Sequence, residues 1–527
     1  MPKRAQSRRP SVMNHQFSQV PRAEIPRSSF NRSHALKTTI NSGELVPFFV
    51  DEVLPGDTMN LRATIFARMA TPIKPVMDNS FVETFFFFVP NRLVWDNWEK
   101  FNGAQDDPGD STDFTIPQCV QDGGGPTVGN LTDYFGLPIG VGFLSTSALP
   151  FRGYRLIWNE WFRDQNLQDS LNVITDNGPD GSYDEPPTRR GKQHDYFSSS
   201  LPFPQKGPPV TVDLGGNAPI TTTEGPAGGV NALIDGPNMP NGFADLGSAG
   251  ANVTIDPGPV GTVNLFADLS SATGFTINDL RQSFAIQRML ERDARGGTRY
   301  TEIIRSHFGV TSPDMRLQRP EFLGGGSAMV NINPVAQTTQ DIDGAGANTP
   351  QGNLAAFGTA SARNHGFTKS FTEHGHIIGL INVRADITYQ QGLNRFWSRL
   401  TRYDFYWPAL SHLGEQAVLS KEIFMDGSAA DDDVWGYQEA FAEYRYKPSI
   451  ITGGFRSQAP NSLDVWHYGL DFATRPVLSA QFIEDNPPIK RTLAVQTEPE
   501  FLVDCYFNYR CARPMPLYGV PGLIDHF

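Results

Sequence analysis

The chain has 527 residues, 39% of them hydrophobic and 19% charged, enough apolar material for a sizeable folded core, which excludes disorder throughout. Its 50 glycines and 41 prolines make about one residue in six, above an ordinary share of about one in eight, and favour short strands and turns over long helices. No window approaches the ~18 uninterrupted apolar residues of a membrane span, and the opening MPKRAQSRRP has charges without an apolar stretch behind them. Neither membrane insertion nor a secretory leader is expected, and the protein is read as made and first used in a cytoplasm.

The net charge of −13 is unevenly placed. Residues 1–37 hold Lys3, Arg4, Arg8, Arg9, Arg22, Arg27, Arg32 and Lys37 against the single acid Glu24. An acidic body repels a polyanion, whereas a flexible basic arm reaches one and gains affinity by releasing its counterions. A solvated tail is the plainer alternative. Pro10, Pro21 and Pro26 favour an extended path for it.

Next come strand, breaker and strand: ELVPFFVDEVL, Pro55-Gly56-Asp57, then MNLRATIFARM. In the last of these Met59, Leu61, Ala63, Ile65, Ala67 and Met69 share one face, so one face is buried. Phe81 to Val89 includes four consecutive phenylalanines, Phe85 to Phe88. Neither parity is polar, which implies a strand covered on both sides. In Arg152 to Leu167, the residues Tyr154, Ile157, Trp158, Trp161 and Phe162 form a helical stripe that should dock on the main body.

Between Gln193 and Leu280 the composition changes. These residues contain one basic group, Lys206, against eight acids, 13 glycines and 10 prolines. Brief strands are expected at Val210 to Leu214 and Val260 to Phe266 within a surface excursion. A second helix is predicted over Asn278 to Ala294, with Asn278 as cap, Leu280, Phe284 and Ile286 as apolar contacts, and Arg281, Arg288, Arg292 and Arg295 near one side. That basic stripe can bind phosphate or carboxylates on a neighbouring chain, or be solvated beside Glu291 and Asp293.

Strands then return. His376 to Tyr389 is rich in Ile and Val, and Phe501, Val503, Cys505, Phe507, Tyr509 and Cys511 form the apolar parity of a long strand. The closing RPMPLYGVPGLIDHF reads as an extended tail lying on other surfaces. Strand-rich ends around helical and glycine-rich insertions fit a mainly β chain, an antiparallel β-sandwich with elaborated loops.

No motif points to catalysis. Gly324-Gly325-Gly326 and Gly344-Ala345-Gly346 each lack the later glycine of a dinucleotide loop, and no GxxxxGK[ST] or GxSxG is present. His374 and His376 flank a glycine without a nearby third ligand, and Asp431-Asp432-Asp433 lacks the spaced oxygens of a calcium loop, so no metal and no cofactor are expected. Cys119, Cys505 and Cys511 read as reduced core residues. A basic arm, an extended tail and an acidic protrusion are features of assembly.

Long stretches carry a family resemblance. IPRSSFNRSHALKTT from Ile25, LVPFFVDEVLPGDT from Leu45, FRGYRLIWNEWFRDQNLQ from Phe151, and LERDARGGTRYTEIIRSHFGVTSPDMRLQRPEFLGG from Leu290 resemble gokushovirus major capsid proteins, within the Microviridae. So do NVRADITYQQGLNRFWSRLTRYDFYWPALSHLGEQAV from Asn382, AEYRYKPS from Ala442, and the terminal PGLIDHF. The resemblance runs nearly end to end and fails in the Gly/Pro-rich excursion. It implies an eight-stranded antiparallel viral jelly roll with long loop insertions, sixty copies of which close a T=1 icosahedral shell around circular single-stranded DNA. It also implies threefold protrusions built by a variable insertion, a bacterial host in whose cytoplasm the virion assembles, and no catalytic residues.

The chain is accordingly divided into a basic arm (1–40), a first body segment (41–175), the acidic insertion (176–263, Asp176 to Val263), a second body segment (264–510) and a tail (511–527). The insertion is assigned to host attachment through a surface receptor of unknown identity. Lys3, Arg4, Arg8 and Arg9 are assigned, on charge alone, to the genome, near any small basic packaging protein; other minor virion or scaffolding proteins are further partners. The competing reading is a β-sandwich carbohydrate-binding protein or glycoside hydrolase with the acidic loops forming a cleft.

Overall fold

The computed structural model describes residues 26–208, 210, 277–297, 299–309, 318–339 and 351–518, with four short strand segments between 220 and 267. The chain separates into two compact units: Met1–Pro202 with Thr311–Phe527, and Phe203–Val310.

The sandwich of the first unit has ten strands: β1 (Ser28–Asn31), β2 (His34–Ile40), β3 (Val46–Val53), β4 (Thr58–Met69), β5 (Ser80–Pro90), β6 (Glu321–Met329), β7 (Asn331–Ala336), β8 (Leu354–Ser370), β9 (Gly375–Ala385) and β10 (Phe501–Arg513). They form two antiparallel sheets. One runs β1-β10-β4-β8-β7, with β2 also paired to β10; the other runs β6-β5-β9-β3. The expected mainly β sandwich is therefore present, and its two longest excursions leave after β5 and after β9.

Alternation builds the core. Along β4 and β10 every second residue is buried, Met59 to Met69 on one strand and Phe501 to Cys511 on the other, as their period of two requires. These faces meet Phe48, Phe49, Phe86, Ile377, Ile381 and Val383 from the opposing sheet. Phe48 and Phe49 are consecutive, so an unbroken strand would send them to opposite sides. The register of β3 against β9 shifts there, pairing Gly379 with Phe49 and Leu380 with Pro47, and both rings reach Phe86 and Phe507. The bulge is how two adjacent aromatics enter one core. Gly379 permits it, since a Cβ there would lie 2.9 Å from both the Phe49 Cβ and the Phe86 ring.

The phenylalanine run is covered on both sides, as its sequence implies. Phe86 and Phe88 point into the sandwich. Phe87 and Val89 point the other way, into a second apolar layer with Ile378, Leu380, Trp95, Phe151, Tyr154 and Ile157. That layer is supplied by the excursion after β5, whose helix α1 (Leu149–Ile157) lies on the outside of the sheet. The predicted stripe is present, but the α-helix ends at Ile157 and a wider π turn carries Trp158–Phe162. The wider turn lets Trp158 Nε1 donate to the Arg189 carbonyl at 2.8 Å while Trp161 Nε1 donates to that of Pro320 at 2.9 Å, so neither indole N–H is left unsatisfied. Gly324-Gly325-Gly326 lies within β6 as a place of close backbone approach: a Cβ on Gly324 would come 2.5 Å from the Gly366 carbonyl oxygen.

Under α1, Arg152 is fully buried and clamps Asp180, with Nε to Oδ2 at 2.8 Å and Nη2 to Oδ1 at 2.6 Å. Tyr183 donates to the same carboxylate at 2.6 Å. Burial raises the Asp180 pKa, but the hydrogen bonds from Arg152 and Tyr183 and the guanidinium charge outweigh it, and the net result lies below the usual carboxylate value. A carboxyl lowered by folding adds stability that is complete above its unfolded value, about 3.9, and is lost as pH falls through the folded value.

Phe86→Ala is expected to cost about 3–5 kcal/mol, against less than about 0.5 kcal/mol for Phe66→Ala on the open face of β4, read as shifts in chemical-denaturation midpoint. Asp180→Asn, which strands the buried Arg152, should cost about 3–5 kcal/mol at neutral pH. It should also flatten the loss of stability in acid, checked by denaturation midpoints across an acid pH series.

Candidate functional site

The excursion after β9 carries a segment, Arg395 to Leu413, that folds as three tight turns: Arg395–Ser398, Arg402–Asp404 and Pro408–Leu410. Asn394 caps the first by accepting from the Phe396 N–H at 3.1 Å. Asp404 caps the second, accepting from Thr401 N–H at 2.6 Å and Leu400 N–H at 2.9 Å, and these bonds hold its pKa below the usual carboxylate value.

Arg395 and Arg399 turn toward the protein, whereas Arg402 is exposed and lies 4.7 Å from the Trp407 ring centroid. Arg395 donates to Glu422 at 2.9 Å and to the Ala417 carbonyl at 2.8 Å, and Arg399 donates to Glu443 at 3.2 Å while lying 4.3 Å from the Tyr444 ring centroid. The apolar side chains turn outward. Trp397 is 70% exposed, Leu400 92% and Tyr403 74%, with Phe396, Phe405, Tyr406 and Trp407 each more than 40% exposed. Ion pairs inside and aromatics outside invert the usual arrangement, and a contiguous apolar surface of this kind marks a protein contact.

Beneath it lies a cavity of about 350 Å³ lined in part by Tyr196, Glu422, Glu443 and Tyr446. An aromatic cavity with two glutamates is the feature closest to the carbohydrate reading. Both carboxylates are already engaged. Glu422 accepts from Arg395, from Tyr196 Oη at 3.0 Å and from Leu419 N–H at 3.0 Å, and burial raises its pKa against the opposing Arg395 charge. Glu443 is held by Arg399. These are structural clamps of the turn segment.

The residues singled out from sequence fall as follows. Lys3, Arg4, Arg8 and Arg9 lie outside the described residues. Of the other basic residues near that end, Arg27 donates to Thr58 at 2.7 Å, Arg32 pairs with Asp51 with one contact at 2.9 Å, and Lys37 stands exposed on β2. The predicted second helix is α2 (Ile277–Gly296), and Asn278 falls inside its first turn. Arg281, Arg288, Arg292 and Arg295 are all exposed and span about 60° of its circumference at 100° per residue. Phe284 and Ile286 are exposed instead of packed, and the buried position of this helix is Ala294. Glu291 accepts from Gln287 at 2.9 Å, and Asp293 meets His307 Nε2 at 2.7 Å on the following helix α3 (Tyr300–Phe308).

The stretch Asp176 to Val263 is divided between the two units: 176–202 belongs to the larger, where Asp180 binds Arg152, and the remainder to the smaller. Leu265–Ala267 pairs with Ile220–Thr222; Thr211 to Leu214 and Val260 to Asn264 lie outside the described residues. His376 Nδ1 is 2.8 Å from Asn91 Oδ1, and burial lowers its pKa to about 4; the His374 ring packs on Trp98. Asp431 accepts from Arg475 at 2.8 Å and from Gly427 N–H at 2.8 Å. Among the described residues no group of three His, Cys, Asp or Glu is placed to hold a metal, and no helix is long and apolar enough to cross a membrane. Cys119, Cys505 and Cys511 are free and buried, with burial raising the Cys505 thiol to about 12.

Sequence reading missed the aromatic surface. NRFWSRLTRYDFYWPALSHL has neither a helical nor a strand period, and its one usable signal was density: seven large apolar or aromatic residues between Phe396 and Trp407 with no periodic face to bury them.

A family model described as capsid protein (F protein) matches residues 18–523. The chain belongs to that capsid protein family. It is similar to capsid protein VP1 of Bdellovibrio phage phiMH2K, 48% identical over 97% of this chain and 98% of the relative. The corresponding protein of Chlamydia phage 1 is 43% identical over 98% of each chain, and that of Spiroplasma virus 4 is 39% identical over 97% of each. These relatives agree with the gokushovirus resemblance drawn from the quoted stretches. A member of this capsid family is a structural component of a Microviridae virion that assembles with copies of itself, and it is not an enzyme. The glycoside hydrolase alternative is thereby set aside.

Proposed function

We propose that this capsid protein is the major coat subunit, sixty copies of which close a T=1 icosahedral shell around circular single-stranded DNA. The observation that carries the reading is the outward aromatic surface at Trp397, Leu400 and Tyr403, apolar area that a lone subunit leaves in water and a neighbouring copy would cover. The strand orders support a viral jelly roll. Eight strands, β2, β3, β4, β5, β6, β8, β9 and β10, alternate between the sheets except for the successive pair β5 and β6, giving β2-β10-β4-β8 and β3-β9-β5-β6, with β1 and β7 added at the edges of the first sheet.

In this reading Lys3, Arg4, Arg8 and Arg9 reach the genome beside a small basic packaging protein, with scaffolding or minor virion proteins as further partners. The stripe of Arg281, Arg288, Arg292 and Arg295 faces phosphate or the carboxylates of a neighbouring subunit. The acidic insertion from Asp176 to Val263 serves attachment to a host receptor, since loops that bury little core can vary without unfolding the body.

Electron microscopy of the purified protein is expected to show small uniform shells; a persistently monomeric chain would remove the proposal. Leu400→Asp with Trp397→Asp is expected to leave folding intact and shift sedimentation from shells to free subunits, because a desolvated carboxylate at a contact costs several kcal/mol. Because 176–202 packs within the larger unit, an excision testing attachment should span 211–263. Such particles should assemble yet lose adsorption to host cells, measured by cell-pelleting assays.

A further inference from the structure

The cavity beneath the turn segment is not filled by the clamps that cross it. Its volume of about 350 Å³ lies at the small end of ligand cavities, which run from about 300 to 1,000 Å³, and suits a molecule of one or two rings. Tyr196, Phe197, Tyr389, Phe396, Trp397 and Tyr446 all contribute to its lining. The Tyr196 and Tyr446 rings lie parallel with centroids 5.9 Å apart. A third ring between them would need about 7 Å, two contact distances of about 3.5 Å, so the pair forms one wall and a guest packs against it.

The charges around the cavity are committed unequally. Glu422 and Glu443 are held by Arg395 and Arg399, so neither carboxylate is left to receive a cation or a sugar hydroxyl. Lys447 and Arg456 are exposed residues of the same lining, and among the described residues neither has a carboxylate partner. Lys447 Nζ lies 5.6 Å from the Phe396 ring centroid. Arg456 donates from Nη1 to the Gln390 carbonyl at 3.0 Å, which uses one of its five donors. Tyr389 Oη is buried without a hydrogen bond of ordinary geometry, and burial together with the Asp195 carboxylate raises its pKa and keeps it protonated. A buried hydroxyl in that state costs stability until a partner is supplied.

We propose that this cavity binds a small aromatic carboxylate, with its ring packed among the aromatic side chains and its carboxylate on Lys447 and Arg456. Such a molecule supplies what the lining lacks: apolar area for the rings and an acceptor for two uncommitted cations. It would touch the Arg395–Ser398 turn on one side and Tyr446 to Ile450 on the other, tying together two stretches that are distant in the chain. The assignment uses no contact between copies and is independent of the shell reading.

The test is isothermal titration calorimetry of the full-length protein with 4-hydroxyphenylacetate and with indole-3-acetate, the uncharged 4-hydroxyphenylacetamide and glucose serving as comparisons. Both acids are expected to bind, the amide about tenfold more weakly, and glucose not at all. Lys447→Gln with Arg456→Gln should weaken the acids about tenfold and leave the amide unchanged, since a hydrogen bond to a charged group carries about that factor. Tyr389→Phe should weaken both acids about threefold. Ser449→Trp, at an exposed position of the lining, fills the cavity and should abolish binding, while circular dichroism reports that each variant folds. No binding of either acid at millimolar concentration, equal binding of acid and amide, or unchanged acid affinity in the Lys447 and Arg456 variant overturns the assignment. Binding that persists in Ser449→Trp lies elsewhere and overturns it as well. Displacement of the acids by glucose would give the cavity to a carbohydrate instead.

Discussion

The structure depends on a single strand that has no face to spare for water. From Phe85 to Val89 the side chains of β5 are all apolar, and a strand necessarily sends them to both sides of its sheet. Phe86 and Phe88 are satisfied by the second sheet, Phe87 and Val89 by the layer around α1. The excursion after β5 is thus required cover, and the buried clamp of Arg152 on Asp180 fastens it. Removing such a layer would expose a phenylalanine surface that no isolated sandwich tolerates.

The same logic, inverted, operates at the surfaces. Where the fold is finished, it still leaves aromatic side chains outside: the turns around Trp397 and Leu400, with Arg395 and Arg399 facing inward to Glu422 and Glu443, and the open sheet with Phe66 and Tyr506 among five cations. The first sets an exposed arginine, Arg402, among exposed aromatics and suits another protein surface; the second is rich in positive charge. Two surfaces of different composition are therefore left exposed on one subunit.

Much of the frame was legible because period-two alternation is a local property. Met59 to Met69 and Phe501 to Cys511 announce their buried faces, and the phenylalanine run announces two-sided cover. The stripe from Tyr154 to Phe162 correctly implied docking, but the change from α-helix to π turn at Trp158 was not readable, since it answers to carbonyls of Arg189 and Pro320 far along the chain. The adjacent Phe48 and Phe49 gave no sign of their bulge, which is set by Gly379 on another strand. Phe284 on α2 was expected to pack and is exposed, because an apolar residue within a helical pattern does not identify its partner.

The amino-acid order by itself determined the class of architecture, the reduced and buried cysteines, the uneven charge and, through long characteristic stretches, the capsid family. What tertiary structure alone decided was which exposed residues stand together. Lys37, Phe66, Arg363 and Tyr506 come from four strands spread over most of the chain, and they share a surface only because hydrogen-bond register aligns those strands. Alternation tells each strand which residues face outward, but only pairing decides which outward residues become neighbours.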